Sequence, residues 1–285
     1  MANVGLYFIL LYFCPTFGVQ FNPKERVICA ASFEERVIHH AVMNVCAPHF
    51  ENHQLPHSYA CRKGKGTFAA IETARLHQRK YQWFLKLDVR KYFDSVDHET
   101  LKSLMCRMYK DKRLLQLFDR LIDSYHTRSG KGLPIGNLSS QYFANHYLAQ
   151  ADKYLIHTLG MKNYVRYMDD MLLWDNDRHR LQYVKECLDD FLTARLQLTL
   201  KPPVLNRSEH GLTALGFRIY PHAMSLNRRS RDRFALKIRT YIGALHTGEL
   251  DYGSFMRRIW ALYGFVGHAT YKGFAGKVMR EMETG

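Results

Sequence analysis

Acidic residues are the scarce charge in this chain. Its 285 residues carry 26 Asp and Glu against 41 Lys and Arg, a formal net charge of +15. Internal ion pairs cannot balance an excess of that size, so the surface is expected to meet a polyanion, either nucleic acid or an acidic membrane. Cysteine is sparse and widely spaced. Cys14, Cys29, Cys46, Cys61, Cys106 and Cys187 form no C-x-x-C pair, which argues against a zinc ribbon, a thioredoxin-like motif or a disulfide-dense secreted scaffold. Reduced and mostly buried thiols are expected instead. The 15 histidines form no H-E-x-x-H and no finger spacing. Long apolar runs are lacking too. The one membrane-like stretch, Val4 to Cys14, falls far short of the roughly 20 residues that span a bilayer. No Lys or Arg precedes it, so it makes a poor signal peptide. The expected partner is therefore nucleic acid, with no membrane, and the expected compartment is the cytoplasm. The 47% hydrophobic content is ample for a folded core.

Periodicity alternates between helix and strand. Ser32 and Glu35 form a capping box, and Val37, Ile38, Ala41, Val42 and Val45 follow with a helical period until Pro48. Thr67 can cap a second helix to about Tyr81. Trp83 to Val89 (WFLKLDV) is β-prone and carries an acid near its end. Asp97 opens a helix with Leu101, Leu104, Met105 and Met108 on one face, and residues 111–124 continue helical. Gly130, Gly132 and Pro134 mark residues 125–134 as a loop. A long amphipathic helix runs from Ser139 to about Leu159. Asn163 to Trp174 (NYVRYMDDMLLW) reads as a β-hairpin with Asp169 and Asp170 at its tip. Asp177 to Leu192 is helical, Leu215 to Ile219 a strand, and helices near 228–247 and 251–265 follow. The expected class is α+β, with a helical basic appendage.

Two adjacent aspartates on an apolar hairpin are costly. Packed like charges raise each other's pKa unless a cation neutralises them. Asp88 is a third acid at the end of an apolar strand, and only the fold can bring it to the pair. Three carboxylates converging from neighbouring strands can hold two Mg²⁺ ions, which suits in-line displacement at phosphorus.

Tyr167-Met168-Asp169-Asp170 resembles the Y-x-D-D box of reverse transcriptases. Phe84 to Asp94 (FLKLDVRKYFD) resembles their first catalytic motif, and Gly132 to Gln141 (GLPIGNLSSQ) occupies the place of the motif between them. Cys61 to Thr67 (CRKGKGT) is similar to the fingers motif that meets the incoming triphosphate, and Ala214 to Phe217 (ALGF) to the primer grip. All five stand in order, over about residues 22–285. The resemblance implies a right-hand polymerase: fingers over 22–82, a palm over 83–220 with an antiparallel sheet, a catalytic hairpin and a fingers-side insertion around 111–138, and a basic helical thumb over 221–285. Residues 1–21 are expected to be an apolar segment, truncated or inauthentic.

The same resemblance implies an RNA-directed DNA polymerase acting by two-metal nucleotidyl transfer on an RNA template, a DNA or RNA primer and dNTPs. Asp88, Asp169 and Asp170 are the catalytic metal ligands, with Val89 adding a backbone carbonyl and Mn²⁺ a possible substitute for Mg²⁺. Arg62, Lys63, Lys65, Phe93, Gly136 and Gln141 are assigned to the nucleotide, Phe93 as a steric gate against the ribose 2′-hydroxyl. Lys201 is a weak general-acid candidate. Asp94 and Asp97 are expected to be caps or turn residues.

Ile135 to Gln141 reads I-G-x-x-x-S-Q where most such enzymes have Q-G-x-x-x-S-P. That variant resembles the reverse transcriptases of diversity-generating retroelements, which copy a template-repeat RNA with errors opposite adenines and work with a small basic accessory protein. Ile135 lacks the amide that could hydrogen-bond near the nascent pair, so Ile135 and Gln141 are assigned to fidelity. The alternatives are a group II intron or retron-like enzyme, or a truncated, inactive RNA-binding remnant. From Lys201 onward 14 Lys and Arg face 6 Asp and Glu. Arg228, Arg229, Arg231, Arg233, Lys237 and Arg239 crowd one helix and are assigned to duplex phosphates. Phe234, Tyr241, Phe255, Trp260, Tyr263 and Phe265 are expected to pack the helices together.

Overall fold

The computed structural model describes residues 16–22 and 24–269. The apolar stretch Val4 to Cys14 and the last residues of the basic tail lie outside them. The described chain mixes helices with antiparallel strands, as the alternating periods predict.

The strands are β1 (Thr16–Asn22), β2 (Lys24–Ala30), β3 (Trp83–Asp88), β4 (Tyr164–Tyr167), β5 (Asp170–Asp175), β6 (Val204–Arg207), β7 (Leu212–Ala214), β8 (Phe217–Ile219) and β9 (Met224–Leu226). The helices are α1 (Phe33–Asn52), α2 (Thr67–Lys80), α3 (Tyr92–Ser95), α4 (His98–Met108), α5 (Lys112–Asp123), α6 (Leu138–Lys153), α7 (Arg178–Leu196), α8 (Arg228–His246) and α9 (Tyr252–Val266). A π-helical turn, Tyr154–Thr158, extends α6. β1 and β2 form an antiparallel hairpin paired from Thr16 with Ala30 to Asn22 with Lys24, which the sequence pattern does not announce. The central sheet has the order β4-β5-β3-β6, and β7-β8-β9 is a separate meander.

The chain divides into two compact units, and β3 and β5 each pass from one into the other along the strand. The first holds the described residues up to Gly66, Lys86–Met171 and Gln182–Pro203. Its core is an aromatic cluster around fully buried Phe50, with Phe118, Phe143, Tyr142 and His146 about it. Burial of such rings contributes about 2–3 kcal/mol each, which suffices to hold short helices that would be marginal alone. The second unit holds Thr67–Leu85, Leu172–Leu181 and the described residues from Val204. There Trp174 donates its indole N–H to Gln78 Oε1 at 2.8 Å, and Gln78 Nε2 donates to the Ser208 carbonyl at 2.8 Å.

Several expectations change. The capping box of Ser32 and Glu35 is present, but α1 continues through Pro48 to Asn52. Pro48 is exposed, so the Asn44 carbonyl that loses a helical donor can turn to water. The buried face of α1 is Glu35, His39, Met43, Cys46 and Phe50, while Val37 and Val45 are exposed. A hydrogen-bond contact of His39 Nδ1 with Ser139 Oγ at 2.8 Å turns that polar side inward. Leu215 and Gly216 form a left-handed turn, φ 50° and 90°, so the predicted strand shortens to β8 and gains partners on both sides. Cys29 and Cys46 are buried as expected, whereas Cys61 and Cys106 are exposed. No helix among the described residues is long and apolar enough to cross a membrane.

Candidate active site

β3 ends on Asp88, and the chain then pairs with residues 199–201: Arg90 N–H donates to Thr199 O and Lys201 N–H to Asp88 O, both at 2.8 Å. This pairing buries Val89 completely and sets the Lys201 side chain beside Asp88. The Lys201 ammonium donates to Asp88 Oδ1. Lys201, expected as an acid toward substrate, is here the counter-cation of a predicted metal ligand.

The tip of the β4–β5 hairpin is Met168-Asp169, with Asp170 the first residue of β5. Met168 sits at φ +55°, a left-handed conformation that costs a non-glycine residue about 1 kcal/mol or more. Asp169 titrates near 6. Burial is the chief cause, followed by the charges of Asp170 and Asp88, which outweigh the opposing Lys201. Asp170 is raised by burial and by Asp88 against the pull of Lys86. Its Oδ1 is buried and faces Lys86 Nζ at 3.4 Å.

The three predicted acids are therefore brought into electrostatic contact. No group of three His, Cys, Asp or Glu among the described residues is closed up around a common point as a formed metal site, and Asp88 is paired with Lys201. The donor set still suits a hard divalent cation. It is all carboxylate oxygen, the buried Asp170 oxygen already draws an ammonium to 3.4 Å, and burial makes the charges costly unless a cation neutralises them.

The other predicted residues fall into three groups. Ile135 and Gly136 precede α6 and Gln141 lies in its first turn; Cys29 N–H donates to Ile135 O at 3.0 Å and the Ala31 N–H to Asn137 Oδ1 at 3.3 Å. Ile135 and Gln141 are half-buried and Gly136, at φ +124°, is exposed. Phe93 is half-buried on α3 beside buried Tyr92, not sealed in the core. Of the fingers cations, Lys63 is exposed and Lys65 Nζ donates to Pro56 O at 2.5 Å while lying 4.5 Å over the Tyr59 ring. Arg62 is committed to protein groups: Nε and Nη2 grip Glu51, and Nη1 donates to Leu55 O and Ser58 O at 2.6 and 2.8 Å. A composition-based reading could not see Glu51 eleven residues upstream as its partner.

Arg228, Arg229, Arg231, Arg233, Lys237 and Arg239 are all exposed on α8, while Phe234 and Ile238 form its buried stripe. Phe234 meets Tyr263 and Phe217 meets Phe265 as packed pairs. Trp260 departs from the packing expectation, being 69% exposed on α9. Asp97 caps α4 as expected, accepting from Thr100 N at 2.9 Å.

Local pattern does not single out Arg166, Asp152 and Asn145, which the fold brings together. Arg166 and Asp152 are fully buried and paired, with Nε to Oδ1 and Nη2 to Oδ2 both 2.7 Å. Arg166 Nη1 also donates to Asn145 Oδ1 at 3.1 Å and to the Met168 carbonyl at 3.0 Å. The signal was present in the sequence: an arginine inside an otherwise apolar strand needs a buried partner.

Comparison with known proteins bears on the family and the fold. The family described as "Reverse transcriptase (RNA-dependent DNA polymerase)" matches residues 20–219. Protein YkfC of Escherichia coli is 26% identical over 170 residues, which is 56% of this chain and 44% of that protein. The group II intron-encoded protein LtrA of Lactococcus lactis is 27% identical over 148 residues, 50% of this chain and 24% of LtrA. The chain thus spans less than half the length of these relatives. Among solved structures, apo telomerase from Candida tropicalis superposes with a TM-score of 0.57 at 13% identity, covering 77% of this chain and 49% of that one. Telomerase from Candida albicans in complex with a telomeric RNA fragment gives 0.57 at 12% identity, covering 95% and 57%. These structures share the fold. With the family match covering most of its length, the chain belongs to the reverse transcriptase family.

Proposed function

We propose that this protein is an RNA-directed DNA polymerase that extends a primer on an RNA template with dNTPs. The single observation that carries the reading is the half-buried pair Asp169 and Asp170 at the hairpin tip, both raised in pKa by burial, Asp169 further by the charges of Asp170 and Asp88 and Asp170 further by Asp88. Asp88, Asp169 and Asp170 would hold two Mg²⁺ ions, with Val89 offering its carbonyl. Bound there, the ions would supply charge neutralisation to the primer hydroxyl and the departing pyrophosphate. The chain's own part is positioning. The hairpin presents two carboxylates, β3 a third, Phe93 offers a half-exposed ring beside them in sequence, and Lys65 and Lys63 offer charge to phosphates. Lys201 neutralises Asp88 until a stronger cation arrives. The exposed basic face of α8 suits the phosphates of a duplex, whose binding would weaken with salt.

At a finer level, the proposed setting is mutagenic copying for a diversity-generating retroelement, in the cytoplasm and with a small basic accessory protein. Ile135 and the I-G-x-x-x-S-Q motif support it. The likeness to group II intron-encoded proteins favours a second reading, an intron-type enzyme. The deciding experiment is primer extension on an RNA template with Mg²⁺ and dNTPs, run with and without the accessory protein. Synthesis that vanishes in Asp169→Ala plus Asp170→Ala is expected. No synthesis in either arm, or synthesis that survives the double change, refutes the polymerase. Errors concentrated opposite template adenines support the retroelement reading, and an even error spectrum supports the intron-type one.

A further inference from the structure

The catalytic turn is held from behind by one side chain. Arg166 is fully buried on β4, two residues before Met168. Its guanidinium donates to Asp152 through Nε and Nη2, to Asn145 Oδ1 and the Met168 carbonyl through Nη1, and to Gln54 Oε1 at 3.2 Å through Nη2. The charge is cancelled by Asp152, whose second task is to accept from the Tyr164 hydroxyl at 2.7 Å. A buried ion pair of this kind gives little net stability against an apolar substitute of the same shape. Its value lies in geometry. The Met168 carbonyl lies between a left-handed residue and Asp169, so fixing that oxygen fixes the direction in which the chain delivers Asp169 and Asp170.

The backbone of Arg166 is engaged as well. Its N–H donates to His57 O at 2.8 Å and its carbonyl accepts from Tyr59 N–H at 2.9 Å, so residues 57–59 run along β4 as a short parallel strap. That strap is held in turn by Arg62 on Leu55 O and Ser58 O, and its Tyr59 carbonyl accepts from Gly66 N–H at 3.0 Å. Arg166 is thus the node where the basic loop 61–67 and the acidic turn 168–170 are tied to the same strand.

We propose that Arg166 is a positioning residue: by holding the Met168 carbonyl through a guanidinium fixed on Asp152 and Asn145, it sets the two aspartates in their cation-binding arrangement. This deepens the polymerase reading and rests on it for the kinetic arm alone. Lysine at 166 keeps the charge for Asp152 but cannot reach Asp152, Asn145 and Met168 O together.

The test uses the full chain with Arg166→Lys, checked for cooperative unfolding, in two arms. Without substrates, Mn²⁺ binding is followed by electron paramagnetic resonance. A loss of about tenfold in affinity is expected, because the two carboxylates are no longer held in register. In primer extension, kcat should fall about tenfold or more while the KM for dNTP changes less than about threefold, as expected when alignment and not nucleotide binding is lost. Met168→Gly, which takes φ +55° without strain, should recover part of both losses in the Arg166→Lys background. A folded Arg166→Lys protein with unchanged Mn²⁺ affinity overturns the inference, and so does a Met168→Gly background that restores nothing. Wild-type protein that binds Mn²⁺ but makes no DNA refutes the polymerase reading and leaves the metal arm to judge Arg166.

Discussion

Replacing Asp169 with Asn should stabilise the metal-free protein while abolishing the proposed primer extension. Asp169 titrates near 6 where an ordinary Asp does so at 3.8. A shift of that size means that the ionised form costs the fold about 3 kcal/mol. Water at the half-exposed tip screens part of it, so about 2 kcal/mol is the reasonable expectation at pH 7.5. The sign follows from proton counting. Between pH 3.8 and 6 the native state binds more protons than the unfolded chain, so stability falls as pH rises through that window. Asn carries no such charge at any pH. Urea unfolding with a chelator present should therefore show Asp169→Asn more stable than wild type by about 2 kcal/mol at pH 7.5, shrinking to under about 1 kcal/mol at pH 4.5. Adding Mn²⁺ should close the gap by stabilising wild type alone. A difference that does not change with pH, or a variant less stable than wild type at pH 7.5, refutes the electrostatic account of the turn.

Three further outcomes are expected. Gln78→Leu leaves the buried Trp174 indole N–H without its acceptor, and denaturant unfolding should register a loss of about 1–3 kcal/mol. Phe93→Ala should admit ribonucleotides in primer extension, and unchanged sugar selectivity would return Phe93 to simple packing. Ile135→Gln should raise fidelity at template adenines in sequenced cDNA, and an unaltered error rate would free the middle motif of that role.

The elements that sequence made legible are those whose causes are local. The capping box of Ser32 and Glu35 and the Asp97 cap depend on residues within a few positions and stand where the local pattern put them, while the hairpin turn falls one residue earlier than expected, at Met168-Asp169, with Asp170 already in β5. The structure adds to the local pattern where a distant partner decides. Val37 and Val45 match a helical stripe, yet His39 is turned inward by Ser139, a hundred residues away. Arg62 has the charge and the glycine neighbours of a phosphate ligand, but Glu51 and two carbonyls claim its donors. Arg166 was overlooked because its meaning resides in Asp152 and Asn145, which helix α6 supplies. Trp260 looks like packing material and instead faces solvent.

The pairing of Lys201 with Asp88 and of Lys86 with Asp170 has a consequence for approach from a distance. Three carboxylates gathered alone would present three negative charges to any arriving polyanion. With two ammonium groups beside them, the far field of the site is that of a single negative charge, set in a molecule of net +15. Beyond about one Debye length, roughly 8 Å at physiological ionic strength, a phosphate chain senses the basic surroundings and not the acids. The repulsive centre is thereby hidden until contact, and the lysines let an acidic cluster sit in a basic molecule without repelling an approaching polyanion.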